Sequence, residues 1–431
     1  MTLNTYSADW PAPSATGRLD AIVRLPGSKS LTNRELVLAA LADEPTVLIE
    51  PLISRDSELM IAALESLGTR FERSADRIRV SPIARSAIAL APISIHCGLA
   101  GTVMRFVPPL AGLRNGAVTF DGDEGARRRP MHTTITSLRA LGVSVSDAKA
   151  LPFTINGDGE ITGGELTIDA SESSQFVSGL LLAAPRFTNG LTLTHAGEHL
   201  PSMPHIEMTL DCLRKRGVEA NQTGPATWRV EPGPIAGGTV VIEPDLSNAG
   251  PFLAAAMVAG GSVTIPHWPA STTQVGKEFE GILTRMGARF EQTSDGLGIT
   301  SDGVIHGIDI DLSIGGELAP VIAALATLAD SPSRLRGIGH LRGHETDRLA
   351  ALTTEINRIG GDCVETEDGL LIHPKPLHGA KWLSYEDHRM ATAGAIIGLR
   401  VPGIEVENIG TTAKTMPDFP ALWSTMLGAA S

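Results

Sequence analysis

At 431 residues the chain exceeds one ordinary core, and its length implies two or three domains. Its 42% hydrophobic and 19% charged residues suit a globular protein in water, and a net charge of −13 argues against nonspecific binding to nucleic acid or anionic membranes. Three widely spaced cysteines, Cys97, Cys212 and Cys363, argue against a disulfide framework or a Cys-x-x-Cys zinc site, and no metal is expected. Aromatics are only 4% against 46 glycines, so the core is aliphatic and its elements approach closely. No apolar run is long enough to span a bilayer, and the polar opening Met1–Trp10 is no signal peptide, so the expected compartment is the cytoplasm.

Residues ahead of Arg18 are rich in Pro, Ala and Thr and read as an arm. A strand is predicted over 21–25. Leu25-Pro26-Gly27-Ser28-Lys29-Ser30 then opens a helix whose Leu36, Leu38, Ala39, Ala40 and Leu41 share a stripe. Ser28 or Ser30 can cap it, and a helix start offers unpaired N–H groups and partial positive charge. Lys29 and Arg34 add full charge at the same end, a junction suited to a phosphate or carboxylate. It is not a Walker loop, because Ser28 separates Gly27 from Lys29. A strand over 46–50, a helix over 55–67 closed by Gly68, and strands to about Val80 complete the unit.

The cadence of capped helix, strand, second helix ending in Gly, then strands returns along the chain. Further copies begin at Cys97–Thr102, Ser171–Gln175, Asp245–Gly250, Gly315–Glu317 and Tyr385–Met390. Six units at a spacing of roughly 70 residues are an internal repeat, and they divide naturally into two domains of three. The cap residues recur in kind: small, hydroxylic or charged. Packed symmetrically, six helix starts would make an anion-attracting cleft in an acidic protein.

The remaining candidates occupy equivalent positions. Arg127, Arg128 and Arg129 precede Pro130, Asp387-His388-Arg389 opens the sixth unit, and Lys414 lies in a loop entering the last helix. A helix is predicted over 345–359. His340 and His344 do not form a His-Glu-x-x-His pattern, because Arg348 follows. Glu317 and Glu345 are carboxylates among cations, either favoured by a helix dipole or serving as proton donor and acceptor. Gly157-Asp158-Gly159 lacks the third glycine of a dinucleotide loop and reads as a turn.

Taken together, Leu-Pro-Gly-Ser-Lys-Ser with Asn33-Arg34, Ala100-Gly101-Thr102 with Arg105, Arg129-Pro130, Ser173-Ser174-Gln175-Phe176, Glu345-Thr346-Asp347-Arg348, Asp387-His388-Arg389-Met390 and Lys414-Thr415 resemble the 5-enolpyruvylshikimate-3-phosphate synthases of the enolpyruvyl transferase family. The matches follow the family's order over nearly the whole chain. The resemblance implies an α/β fold of two domains, 1–25 with 244–431 and 26–243, each of three βαβαββ-type repeats, with the active site in the interdomain cleft. It implies transfer of the enolpyruvyl group of phosphoenolpyruvate to the 5-hydroxyl of shikimate 3-phosphate, by a monomer without cofactor. It also implies inhibition by glyphosate at the phosphoenolpyruvate site. Two other readings are a UDP-N-acetylglucosamine enolpyruvyl transferase and a non-catalytic anion-binding module on the same scaffold.

Carried over by position, the shikimate 3-phosphate contacts are Lys29, Ser30, Arg34, Ser173, Ser174, Ser202, Glu317 and His344. The phosphoenolpyruvate contacts are Lys29, Gly101, Arg129, Gln175, Arg348, Arg389 and Lys414, with Arg127 open as a partner of Arg129. Glu317, Glu345 and Lys29 are the expected acid–base groups, with the methylene proton coming from Glu345 or Lys29. Three positions depart from the family's commonest pattern: Glu317 for aspartate, His344 for lysine and Leu99 for asparagine.

Overall fold

A computed structural model of the chain describes residues 9–84 and 90–428, so the first eight residues of the polar opening lie outside the described residues. The chain divides into two units, Gly27–Ile242 and the discontinuous pair Met1–Pro26 with Glu243–Ser431. Each unit has its own apolar core.

The Gly27–Ile242 unit is built on three core helices, Lys29–Leu41, Gly101–Gly112 and Gln175–Ala183. The middle repeat shows the plan. Strand Ile93–His96 crosses over through the Gly101–Gly112 helix to run parallel to Asn115–Asp121. That strand pairs antiparallel with Phe153–Asp158, and Ser144–Val145 takes the edge. A parallel pair requires such a crossover, whereas the final hairpin needs only a tight turn. In the first repeat the opening strand is Gly238–Val241, which comes back from the far end of the unit to lie parallel to Thr46–Ile49.

The core helices touch through their smallest residues. Pro109, inside the Gly101–Gly112 helix, cannot donate to the Arg105 carbonyl four residues back. Gly179 of the neighbouring helix sits against that carbonyl, where a Cβ would come within 2.2 Å of the oxygen. Any side chain there would push the two helices apart.

The second unit repeats the plan with core helices Leu246–Ala259, Ala319–Thr327 and His388–Gly398. Asp245 caps the first by accepting from the Asn248 N–H at 3.1 Å, and Gly260, at φ 72°, ends it. Its repeat borrows strand Leu19–Ile22, which runs parallel to Gly261–Pro266. The sixth repeat departs from βαβαββ. Its sheet holds three strands, Lys381–Trp382, Glu405–Val406 and Trp10–Pro11, so the start of the chain replaces the closing hairpin. Trp10–Val406 pairing, and the Ala12 N–H to Ile404 carbonyl bond of 2.9 Å, correct the expectation of an arm before Arg18.

Arginines tie down the rear ends of core helices in both units. Arg400 donates to the carbonyls of Val258 at 2.7 Å and Leu328 at 3.3 Å, and Arg186 donates through Nε to that of Leu41 at 2.9 Å. A cation at a helix C-terminus satisfies stranded carbonyls and opposes the dipole. No helix among the described residues is long and apolar enough to cross a membrane.

Candidate active site

In the Gly27–Ile242 unit the three core helices start beside one another. Ser28, not Ser30, caps the first helix, accepting from the Leu31 N–H at 3.4 Å. Asn33 donates through Nδ2 to Thr102 Oγ1 at 2.8 Å, which joins the first start to the second. Gly101 joins the second to the third. A Cβ placed on it would lie 3.0 Å from each of Arg105 Nη1, Arg129 Nη2 and Gln175 Oε1. Those three polar groups therefore crowd over bare backbone, and only glycine leaves space in front of them.

Arg34 is 2% exposed and fully engaged. Nε donates to Thr209 Oγ1 at 2.8 Å, Nη1 to the Ser30 carbonyl at 2.9 Å, and Nη2 to the His205 carbonyl at 2.9 Å and Ser178 Oγ at 3.4 Å. Its guanidinium also lies 5.3 Å from the Phe106 ring centroid. Lys29 is half-buried, with Asp56 at 3.8 Å. Arg129 donates to the Leu99 carbonyl at 3.1 Å and forms no ion pair with a described residue. The departure at Leu99 thus leaves its backbone in use. Arg127 turns away to an exposed pair with Asp121 at 2.7 Å. Ser174 is the cap position of the Gln175–Ala183 helix, Ser173 Oγ accepts from the Gln175 N–H at 3.3 Å, and Ser202 precedes Met203–Lys215 in a left-handed conformation, φ 55°, without a side-chain capping bond.

Sequence reasoning missed how much Arg105 does. It is 3% exposed, donates to the Pro130 carbonyl at 3.1 Å, and stacks 5.6 Å from the Phe176 ring centroid. The signal was present, since Arg105 lies one turn beyond Gly101 and so shares its helix face.

The second unit gathers its candidates around Arg348, which is 2% exposed. Nε donates to Asp387 Oδ2 at 2.8 Å, Nη2 to Asp387 Oδ1 at 3.3 Å and to Glu345 Oε2 at 2.8 Å. His344 Nδ1 lies 3.4 Å from Nη1. Burial works against the Arg348 charge, but the Asp387 and Glu345 carboxylates outweigh it and raise its pKa further. Glu345 Oε1 accepts from Lys414. Glu345 is not in a helix, contrary to the range predicted: Asp347 takes the cap, accepting from the Ala350 N–H at 3.1 Å, and the helix is Arg348–Arg358. Glu317 lies in the short turn Gly316–Leu318 leading into its core helix, and Ser247 donates to its Oε1 at 3.1 Å. Arg389 is the second residue of the His388–Gly398 helix and makes no ion pair with a described residue.

Burial pushes the Cys97 thiol up to about 12, so it is no nucleophile. Among the described residues no group of three or more His, Cys, Asp or Glu is placed to hold a metal ion.

Comparison with known proteins gives one family. A profile of EPSP synthase (3-phosphoshikimate 1-carboxyvinyltransferase) matches residues 13–423. A 3-phosphoshikimate 1-carboxyvinyltransferase of Kocuria rhizophila is 56% identical over 430 residues, covering 97% of each chain. Two solved EPSP synthases from Acinetobacter baumannii superpose with TM-scores of 0.80 and 0.79 at 22% identity, each over 97% of this chain and 97% and 98% of theirs.

Proposed function

The chain belongs to the EPSP synthase (3-phosphoshikimate 1-carboxyvinyltransferase) family, and from that premise we propose how its side chains share the reaction. It transfers the enolpyruvyl group of phosphoenolpyruvate to the 5-hydroxyl of shikimate 3-phosphate and releases phosphate. The match over residues 13–423 carries this conclusion.

In the proposal, the Gly27–Ile242 unit supplies the anion cradle. Lys29, Ser30 and Arg34, with Ser173, Ser174 and Ser202, take shikimate 3-phosphate. Gly101, Arg129 and Gln175 take phosphoenolpyruvate, assisted by Arg105, whose Nη1 reaches the same patch of Gly101. The second unit supplies the acid–base groups and the remaining cations, Arg348, Arg389 and Lys414, with His344 beside Arg348. Both substrates are anions, so cations that hold them close remove the repulsion and turn an encounter into a positioned reaction.

Protonation of the phosphoenolpyruvate methylene leaves the adjacent carbon cationic and open to the 5-hydroxyl oxygen. Glu345 handles that proton, with Lys414 as its hydrogen-bonded source; Lys29 is the alternative donor. Glu317 takes the hydroxyl proton as the C–O bond forms, and the Ser247 bond to Oε1 fixes the longer glutamate arm. The tetrahedral adduct then loses phosphate, whose leaving oxygen takes the proton held by Glu317, as a methyl proton returns to Glu345 and the double bond reforms. The active species proposed is a single chain in the cytoplasm, without metal or organic cofactor. Light scattering on the purified enzyme checks the first point.

Phosphate release from phosphoenolpyruvate tests the whole. It is expected only when shikimate 3-phosphate is present, and release driven by UDP-N-acetylglucosamine, or none with either acceptor, would end the reading. Glyphosate is expected to compete with phosphoenolpyruvate, because Gly101 leaves the space before Arg129 open. Inhibition not relieved by added phosphoenolpyruvate would count against that.

A further inference from the structure

The residues just ahead of Arg389 adopt a backbone that side chains avoid. Tyr385 has φ 52° and Glu386 φ 58°, two consecutive non-glycine residues in the left-handed region. They form the turn between strand Lys381–Trp382 and helix His388–Gly398, closed by the Asp387 N–H to the Ser384 carbonyl at 2.8 Å. Such a conformation persists only where its surroundings over-determine it.

The surroundings here are one helix, Arg348–Arg358, which grips the turn at two points. At one end Arg348 holds Asp387 through both carboxylate oxygens. Seven residues later, two turns along and on the same face, Glu355 holds the other end. Glu355 is 0% exposed. Its Oε1 accepts from the Tyr385 hydroxyl at 2.6 Å and its Oε2 from the Leu383 N–H at 3.1 Å. Arg358 locks the same carboxylate from the other side at 2.9 and 3.2 Å. Burial, and then the bond to Glu355, push the Tyr385 hydroxyl up to about 12, so it stays a donor throughout the working pH range. Asp387 in turn accepts from the Arg389 N–H at 2.8 Å. Arg389 has no ion-pair partner among the described residues, and its place at the helix start is held through the backbone of the turn.

We propose that Glu355 and Tyr385 are positioning residues: with Arg348 they clamp the strained turn that aims Arg389 at the carboxylate or phosphate of phosphoenolpyruvate. The inference rests on the reading of Arg389 as a phosphoenolpyruvate contact.

The test is steady-state kinetics on Tyr385→Phe, Glu355→Gln, Arg389→Ala and the double variant Tyr385→Phe/Arg389→Ala. Tyr385→Phe is expected to raise the phosphoenolpyruvate KM by roughly three- to tenfold, the range one hydrogen bond is worth. The shikimate 3-phosphate KM and kcat should stay within about twofold, and the double variant should be no worse than Arg389→Ala alone, since effects that act through one residue are not additive. A parallel rise in both KM values, no rise, or full additivity overturns the clamp. Were Glu355→Gln to yield no folded protein, Tyr385→Phe alone decides. If Arg389→Ala itself leaves the phosphoenolpyruvate KM unchanged, the underlying reading of Arg389 fails instead.

Discussion

Both units gather cations around helix starts, but their arginines are held by opposite means. In the Gly27–Ile242 unit the arginines rest on neutral oxygens and aromatic faces: Arg34 on Thr209, Ser178, two carbonyls and Phe106, Arg105 on the Pro130 carbonyl and Phe176, Arg129 on the Leu99 carbonyl. In the second unit Arg348 and Lys414 are bonded to the carboxylates of Asp387 and Glu345. Neutral acceptors fix a guanidinium without cancelling its charge, which leaves field for a phosphate. Carboxylates cancel much of the charge but bring groups that can carry protons. Under the proposed assignment, the Gly27–Ile242 unit binds anions, and the second unit adds the proton-carrying groups alongside its own cations Arg348, Arg389 and Lys414.

That contrast can be broken at its strongest point by Glu317→Ala. It should lower kcat by roughly 10²–10⁴-fold, the weight of a general base, while both ligands still bind by calorimetry. Lost affinity with intact turnover would erase the distinction between the units. Lys29→Ala attacks the other side and should lower kcat/KM by roughly 10²–10³-fold with an unchanged thermal midpoint. Normal turnover would remove Lys29 from the site. Arg34→Lys keeps the charge but loses the fork that reaches Thr209, Ser178 and His205 together. It should raise the shikimate 3-phosphate KM by roughly 10- to 100-fold and leave kcat nearly alone. An unaltered KM would mean that charge alone suffices there.

The smallest expected effect concerns pH. Cys97 lies buried behind the Gly101 start, and burial raises its thiol from an ordinary 9.0 to about 12. The unfolded thiol ionises first, so its contribution to stability is intact below about pH 9 and drains away as pH rises toward 12. Denaturant midpoints at pH 7 and pH 10.5 should therefore differ less in Cys97→Ala than in the parent. Equal differences would show that the buried thiol is not what makes the fold alkali-sensitive.

The repeat was legible because its punctuation is local: a polar cap, an Ala/Leu helix and a closing glycine each write themselves within a few residues. What was not legible was whatever depends on distant pairing. Trp10–Pro11 reads as an arm because its partners, Glu405–Val406, are nearly the whole chain away. Glu345 reads as helical because only the backbone shows Asp347 taking the cap. Whether Arg127 shares the work of Arg129 cannot be read in sequence, and the two separate only when Asp121 claims Arg127. The burial of Glu355 has no sequence signature at all, since an acidic residue late in an amphipathic helix ordinarily faces water.

The borrowed strands impose a timetable on synthesis. Gly27–Ile242 is one uninterrupted stretch and can assemble as soon as it leaves the ribosome, whereas Trp10–Pro11 must wait for Glu405–Val406 to be made. At about 5–20 residues per second that interval is roughly 20–80 s. For that time Trp10 stays without its sheet partner, while Leu19–Ile22 waits only until Gly261–Pro266 is made, and in this phase the nascent chain is most open to chaperones or to sticking to its neighbours.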